Sequence, residues 1–302
     1  VTSNETGVST TCMITVTEIE GAQNMAFTVS AEQNALIAFN PAMPAQTAQV
    51  VAKLDAGGAI RGLAYGDNCL YYVAYLDYST YIYKFDFATN SNILLGQVDC
   101  WFEPSGFAYD AENELFYITG GFYLFQYDAT SMDPANFNYM LNYVMDSDYC
   151  TLVGVTVVDG AVYTFGNEYY NSIPQMMKYS DMYLNDRTIA LTNLEVPLVA
   201  QATDIAYDAG SGLFYFADPG HTIYAMDMEG NTVSVDILGD GIDMYGFAID
   251  ATAKYKVTYT DGLGGKLFND QFFFAAPDAE TPKFIGTPAR PGYTFAGWNP
   301  VV

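Results

Sequence analysis

A short motif returns five times in the first 250 residues, and a chain that repeats itself at that interval has few folds open to it. The motif is a glycine or an aspartate followed by alternating small and apolar residues: Gly62-Leu63-Ala64-Tyr65, Gly106-Phe107-Ala108-Tyr109-Asp110, Gly154-Val155-Thr156-Val157, Asp204-Ile205-Ala206-Tyr207-Asp208 and Gly246-Phe247-Ala248-Ile249-Asp250. The spacing, roughly 42 to 50 residues, suits one supersecondary unit that buries its apolar faces by stacking on the next unit.

Each of the first four motifs is followed by a turn and an aromatic strand: Leu70-Tyr71-Tyr72-Val73, Leu115-Phe116-Tyr117-Ile118, Ala161-Val162-Tyr163-Thr164-Phe165 and Leu213-Phe214-Tyr215-Phe216. A third strand is legible at Tyr81–Asp86, Tyr123–Asp128 and Thr222–Asp227, and a fourth at Thr232–Leu238. The alternation has the period of strands and nowhere that of a helix. Four short strands per unit, with small residues on the first, describe a blade of a β-propeller. Inner strands converge on the ring axis, where bulky side chains would collide. The pattern resembles the broad family of repeat propellers found in bacterial surface proteins and matches no named enzyme family.

The fifth motif, Gly246 to Asp250, has no blade behind it, whereas the chain start offers three strands that lack an inner one: Met25–Ser30, Ala35–Asn40 and Val50–Leu54. Joining the two gives a composite blade that ties the ends of the ring and removes its open edge. The expected fold is all-β: a five-bladed β-propeller over residues 1–253, followed by a small β-grasp-like module over 254–302. A competing count uses Met13 to Ile19 as an inner strand and closes the ring differently.

The last stretch begins with Tyr255-Lys256-Val257-Thr258-Tyr259-Thr260-Asp261-Gly262, an alternating strand that stops at a tight turn. Beyond it lie Gly286-Thr287-Pro288 and Arg290-Pro291-Gly292-Tyr293-Thr294-Phe295-Ala296-Gly297-Trp298. Together these resemble the internalin-type B repeat, or Listeria-Bacteroides repeat, of bacterial surface proteins. The resemblance implies a place on or outside a bacterial envelope, as in a Gram-positive bacterium, with the module as stalk; it implies no reaction. Repeats of that family usually continue into one more strand past this motif. Met13 to Ile19, a good alternating strand, is a candidate to fill the gap, unless it pairs with the propeller edge.

The charge balance excludes two classes of partner. Ten basic against 35 acidic residues give a net charge of -25, which repels nucleic acid phosphates and anionic lipid headgroups. No apolar run reaches the roughly 20 residues of a membrane helix, and Val1 to Gly7 is the kind of polar stretch left after removal of a leader, so the chain reads as a secreted protein. Cys12, Cys69, Cys100 and Cys150 show no metal-ligand spacing. The four allow two disulfides in three possible pairings, and free thiols equally; Cys100 and Cys150 stand at equivalent points of neighbouring units, which makes them the pair expected to lie close enough for a disulfide.

In a propeller, ligands gather on the face bearing the loops that lead into the inner strands and those joining second to third strands. That face would collect Tyr75, Asp77 and Tyr78; Trp101, Phe102 and Glu103; Glu168, Tyr169 and Tyr170; Asp218 and His221; and Asp243 and Tyr245, with Arg61 before the first inner strand. Rings beside carboxylates suit a sugar, which stacks its C–H bonds and hydrogen-bonds its hydroxyls, and they suit a protein patch equally. The expected ligand is a host glycan or glycoprotein. Two other classes stay open: a glycosidase working through Glu103 and Glu168 with Asp218 as a third acid, and a structural subunit of a surface fibre or lattice. His221 reads as a turn cap. No cofactor is expected; Asp146 with Asp148, or Asp110 with Glu112 and Glu114, are dense enough for calcium but lack the spacing of a calcium loop.

Overall fold

The period-two alternation becomes a set of four-stranded antiparallel blades whose tight turns use left-handed residues, as at Asp67-Asn68 and Asp159-Gly160. The computed structural model describes residues 24–250 apart from 31–32, 43, 88, 146–149, 169–172, 181–182, 193, 195–203, 219–221 and 239–243, together with 2–3, 13–18, 255–260, 271–275, 280–281, 283–286 and 293–294.

Blade 1 runs outward through Ala59–Gly66, Cys69–Leu76, Ser79–Asp86 and Ser91–Val98. Blade 2 comprises Gly106–Asp110, Leu115–Gly120, Tyr123–Asp128 and Asn142–Met145; blade 3, Cys150–Val158, Ala161–Glu168, Pro174–Tyr179 and Arg187–Thr192; blade 4, Asp204–Asp208, Leu213–Ala217, Thr222–Met226 and Thr232–Ile237. Blade 5 is composite: the inner strand Met244–Asp250 pairs with Met25–Ser30, and Ala35–Phe39 and Gln49–Lys53 complete it. The inner strands pack on one another in ring order, blade 5 meeting blade 1 on one side and blade 4 on the other. Five blades therefore close the ring, and the competing count that begins at Met13 is not the one adopted.

The motif glycines are there because the strands come so close at the axis. A Cβ on Gly106 would lie 2.6 Å from the Cα of Gly154. Gly246 has a φ of 69°, and a Cβ there would come within 2.9 Å of the Leu63 nitrogen. Between blades the aromatic second strands fill the wedge. Tyr71, Val73 and Ile82 of blade 1 pack with Phe107, Phe116 and Phe125 of blade 2, and Phe165 of blade 3 meets Phe216 of blade 4 at 5.0 Å.

A second compact unit joins residues 1–23 to 252–302. The expected boundary at 253/254 leaves residues 1–23 with the propeller, whereas their strand Met13–Glu18 pairs antiparallel with Tyr255–Thr260, Met13 opposite Thr260 and Glu18 opposite Tyr255. The physical reason is an edge: the composite blade supplies blade 5 its partners, while Tyr255–Thr260 still has a row of free backbone groups to fill. The borrowed strand thus comes from within the chain. Gln271–Ala275 lies on the other side of Tyr255–Thr260, and Thr2–Ser3 pairs with Tyr293–Thr294. Val257 and Tyr259 are buried in this unit, with Phe284 edge-on to Tyr259 at 5.7 Å.

Candidate ligand face

The close contacts among Gly62, Gly106, Gly154, Asp204 and Gly246 bring the five inner strands together at the axis, and Arg61 and Glu103, which precede two of these positions in the chain, mark one face of the ring. At the centre of the ring a side chain stands where four motifs carry glycine. Asp204 is fully buried, and its carboxylate accepts the backbone N–H of Ile205 at 2.9 Å and those of Leu63 and Phe247 at 3.3 Å. Phe107 donates as well. Each donor follows its own motif residue, so blades 1, 2, 4 and 5 are tied to one carboxylate. Burial pushes the Asp204 pKa well above the ordinary carboxylate value, and the N–H groups oppose that shift without cancelling it.

Further out on this face, Arg61 spans three blades. Its Nε donates to Glu103 Oε1 at 2.6 Å, and its guanidinium lies 4.9 Å from the centre of the Tyr245 ring. Glu103 and Tyr245, from the loop before blade 2 and the inner strand of blade 5, are thereby brought to one cation. The link could not be seen in sequence, since 42 residues separate Arg61 from Glu103 and blade 5 must close before Tyr245 arrives.

The loop before blade 2 also carries Trp101 and Phe102, which stay open to solvent, 53% and 41% exposed. They do not pack between blades. Trp101 sets its ring at steep angles against Tyr123, Phe125 and Tyr143, at 5.6, 5.6 and 4.9 Å, while Phe102 stacks on Tyr123 at 5.2 Å. The outermost strand of blade 2 extends this platform, because alternation turns Tyr143 and Met145, with Leu141 just before the strand, to the solvent side. Phe137 and Tyr139, in edge-on contact at 5.2 Å, precede it, and Phe137–Asn138 adds in parallel to the outer strand of blade 1. Tyr123, Tyr139, Leu141, Tyr143 and Met145 are the residues missed in sequence. The alternation of Leu141-Asn142-Tyr143-Val144-Met145 was the available signal. Two partly exposed carboxylates precede that segment: a hydrogen bond from the Thr130 hydroxyl holds Asp128 below the usual range, and one from the Asn136 amide does so for Asp133.

The other expected site residues are dispersed. Asp77 and Tyr78 form a left-handed two-residue turn at the tip of blade 1, Tyr78 being 92% exposed, and Tyr75 is half-buried behind them. Asp218 caps a turn: it is 5% exposed, its Oδ1 accepts the Thr222 N–H at 3.0 Å, and its own N–H donates to the Thr222 carbonyl. Asp110 likewise closes a turn, its oxygens accepting the N–H groups of Glu112 and Asn113 and the Asn113 side-chain amide. Among the described residues no cluster of His, Cys, Asp and Glu is arranged to hold a metal ion. The Glu168 side chain, Tyr169, Tyr170, His221, Asp243, Asp146, Asp148 and Cys12 lie outside the described residues.

Cys100 and Cys150 are buried thiols and form no disulfide. Cys100 donates to the Phe102 carbonyl at 3.0 Å and Cys150 lies 3.7 Å from Gln175 Oε1, each inside its own blade wedge. Burial pushes the Cys100 pKa up to about 11. Among the described residues no helix is long and apolar enough to cross a membrane.

Comparison with known proteins places the fold alone. No family model and no curated protein matches the chain. Among solved structures the chain is similar to one from the crystal structure of a nidogen/laminin complex, with a TM-score of 0.55 and 14% identity over 76% of this chain and 99% of that one.

Proposed function

We propose that this chain is an extracellular binding protein whose propeller captures its ligand on the aromatic platform of blade 2, beside the Arg61 bridge. The carrying observation is the exposure of Trp101 and Phe102 within one ring cluster with Tyr123 and Tyr143. Rings held by one another and left open to water form a preorganised contact surface that loses little conformational freedom on binding. The ligand class is a host glycan or glycoprotein. The second unit serves as a stalk; support for that, and for a place on a bacterial surface, is the B-repeat resemblance of residues 254–302.

A second reading is favoured by one feature. Val233, Val235 and Ile237 line the outermost strand of blade 4, each more than half exposed, which suits a subunit that meets other copies edge to edge. The glycosidase reading has less behind it, since Arg61 occupies Glu103 and Asp218 is spent on a turn.

Replacing both Trp101 and Tyr143 with alanine is expected to weaken capture of the ligand by about 1 to 3 kcal/mol, with the melting temperature nearly unchanged. Arrayed glycans and immobilised host glycoproteins provide the readout. A well-folded double variant that binds every one of them as the native chain does would place the ligand surface elsewhere.

A further inference from the structure

We infer that the blade 2 platform docks a cationic polypeptide, through arginine- and lysine-bearing segments interspersed with aliphatic residues, and not a sugar ring. The inference rests on the binding reading above and names the chemistry of the partner.

Three observations point that way. The first is charge. From residue 85 to residue 177, a stretch that includes the whole of blade 2, the chain has twelve carboxylates and no lysine, arginine or histidine. Arg61, which reaches the loop before blade 2, comes from blade 1 and is already engaged with Glu103. Asp128, at the end of the third strand of blade 2, and Asp133, on the connection that leads to Phe137, Tyr139 and Leu141, are both partly exposed. A field of one sign on this scale attracts a cationic partner and repels an anionic one.

The second is the company the rings keep. A sugar site sets ring faces among groups that hydrogen-bond hydroxyls. Here the exposed neighbours of Tyr143 along its strand face are Leu141, 59% exposed, and Met145, 40% exposed. Aromatic and methionine side chains together are the signature of protein interfaces, and aliphatic side chains of a partner would fill the spaces between the rings.

The third is ring geometry. Trp101 meets Tyr123, Phe125 and Tyr143 at interplanar angles of 79°, 87° and 68°. The cluster therefore presents π faces in several directions and not one flat shelf. Guanidinium and ammonium groups on an extended segment can each find a face, an attraction that grows when the carboxylates nearby are not neutralised.

The test uses the full chain and titration calorimetry with a peptide of alternating arginine and leucine, its glutamate–leucine counterpart, and a panel of neutral and sialylated N-glycans. The arginine–leucine peptide should bind, and the other probes should not. Trp101→Ala with Tyr143→Ala should weaken it about tenfold or more, and Leu141→Lys, at an exposed position that leaves the core untouched, should weaken it as well by placing a like charge in the patch. Asp227→Asn, on the far turn of blade 4, should leave affinity within about twofold.

Failure takes distinct forms. If the peptide binds the double variant and Leu141→Lys as tightly as the native chain, its attraction is the general one of a chain with a net charge of -25, and the inference is wrong. No binding of the peptide is equally fatal. If glycans bind instead and are lost in the double variant, the platform is a sugar site, so the inference fails while the binding reading survives. Should glycans, glycoproteins and peptide all bind independently of Trp101, Tyr143 and Leu141, both fall.

Discussion

At the scale of single residues, Asp204 carries the most consequence. Removing its carboxylate leaves N–H groups of four blades facing an empty axis, each desolvated and without an acceptor. Asp204→Ala should therefore cost about 3 kcal/mol or more, measured by chemical denaturation. Its titration gives a separate signature. Folded, the group's pKa lies above the 3.8 of the unfolded chain, so folding takes up a proton between the two values. The stability it contributes is complete below the unfolded value and falls as pH rises through the folded one. Asp204→Asn cannot titrate and should flatten that part of the stability curve, read from melts at successive pH values above about 4. A variant whose pH dependence matches the native chain would mean that Asp204 does not titrate there. The glycines around it are bound by space. Gly106→Ala would press a methyl group on the Gly154 backbone at 2.6 Å, and a loss of about 2 to 4 kcal/mol is expected; unchanged stability would show that the inner strands can spread. The sequence marked the position of Asp204 through the motif, yet not its role. One aspartate among four glycines reads as variation until the ring brings the five positions together.

Among the elements, the composite blade is the one on which closure depends. Met25–Ser30 pairs with Met244–Asp250 across more than 200 residues, and Thr28 Oγ1 adds a bond to the Gly246 carbonyl at 2.9 Å. Deleting residues 1 to 54 strips the inner strand of blade 5 of its sheet and exposes the apolar side of blade 4, including Tyr215 and Ile223. The expected outcome is cooperative loss of the whole ring, followed by circular dichroism; a truncated chain that melts where the native one does would mean that four blades stand alone. This pairing was legible because each part lacks what the other has. The platform was only half legible. Trp101 and Phe102 stood out in a loop, whereas Tyr123 and Tyr143 lie on strands, where an aromatic residue ordinarily faces the core. Which side of an outermost strand meets solvent is decided by the neighbouring blade, and no local pattern reports that.

For the whole molecule, the division into two units predicts independent behaviour. A fragment of residues 24–251 contains every strand of the five blades, so it should keep the native propeller's melting transition to within about 3 °C. A much lower transition would show that the ring leans on the other unit. Deleting residues 1 to 23 from the full chain should affect only the smaller unit, by removing the Met13–Glu18 edge. The sequence by itself determined the all-β class, the blade interval and the acidic character, because these depend on residue type, local alternation and spacing along the chain; the choice of five blades over the count beginning at Met13 waited for ring closure. Only the tertiary structure decided where Met13–Glu18 pairs, that Cys100 and Cys150 remain thiols in their wedges, that Asp218 closes a turn, and that Arg61 gathers Glu103 and Tyr245. Each of those depends on the distance between residues far apart in sequence, and ring closure sets such distances while one-dimensional periodicity leaves them open.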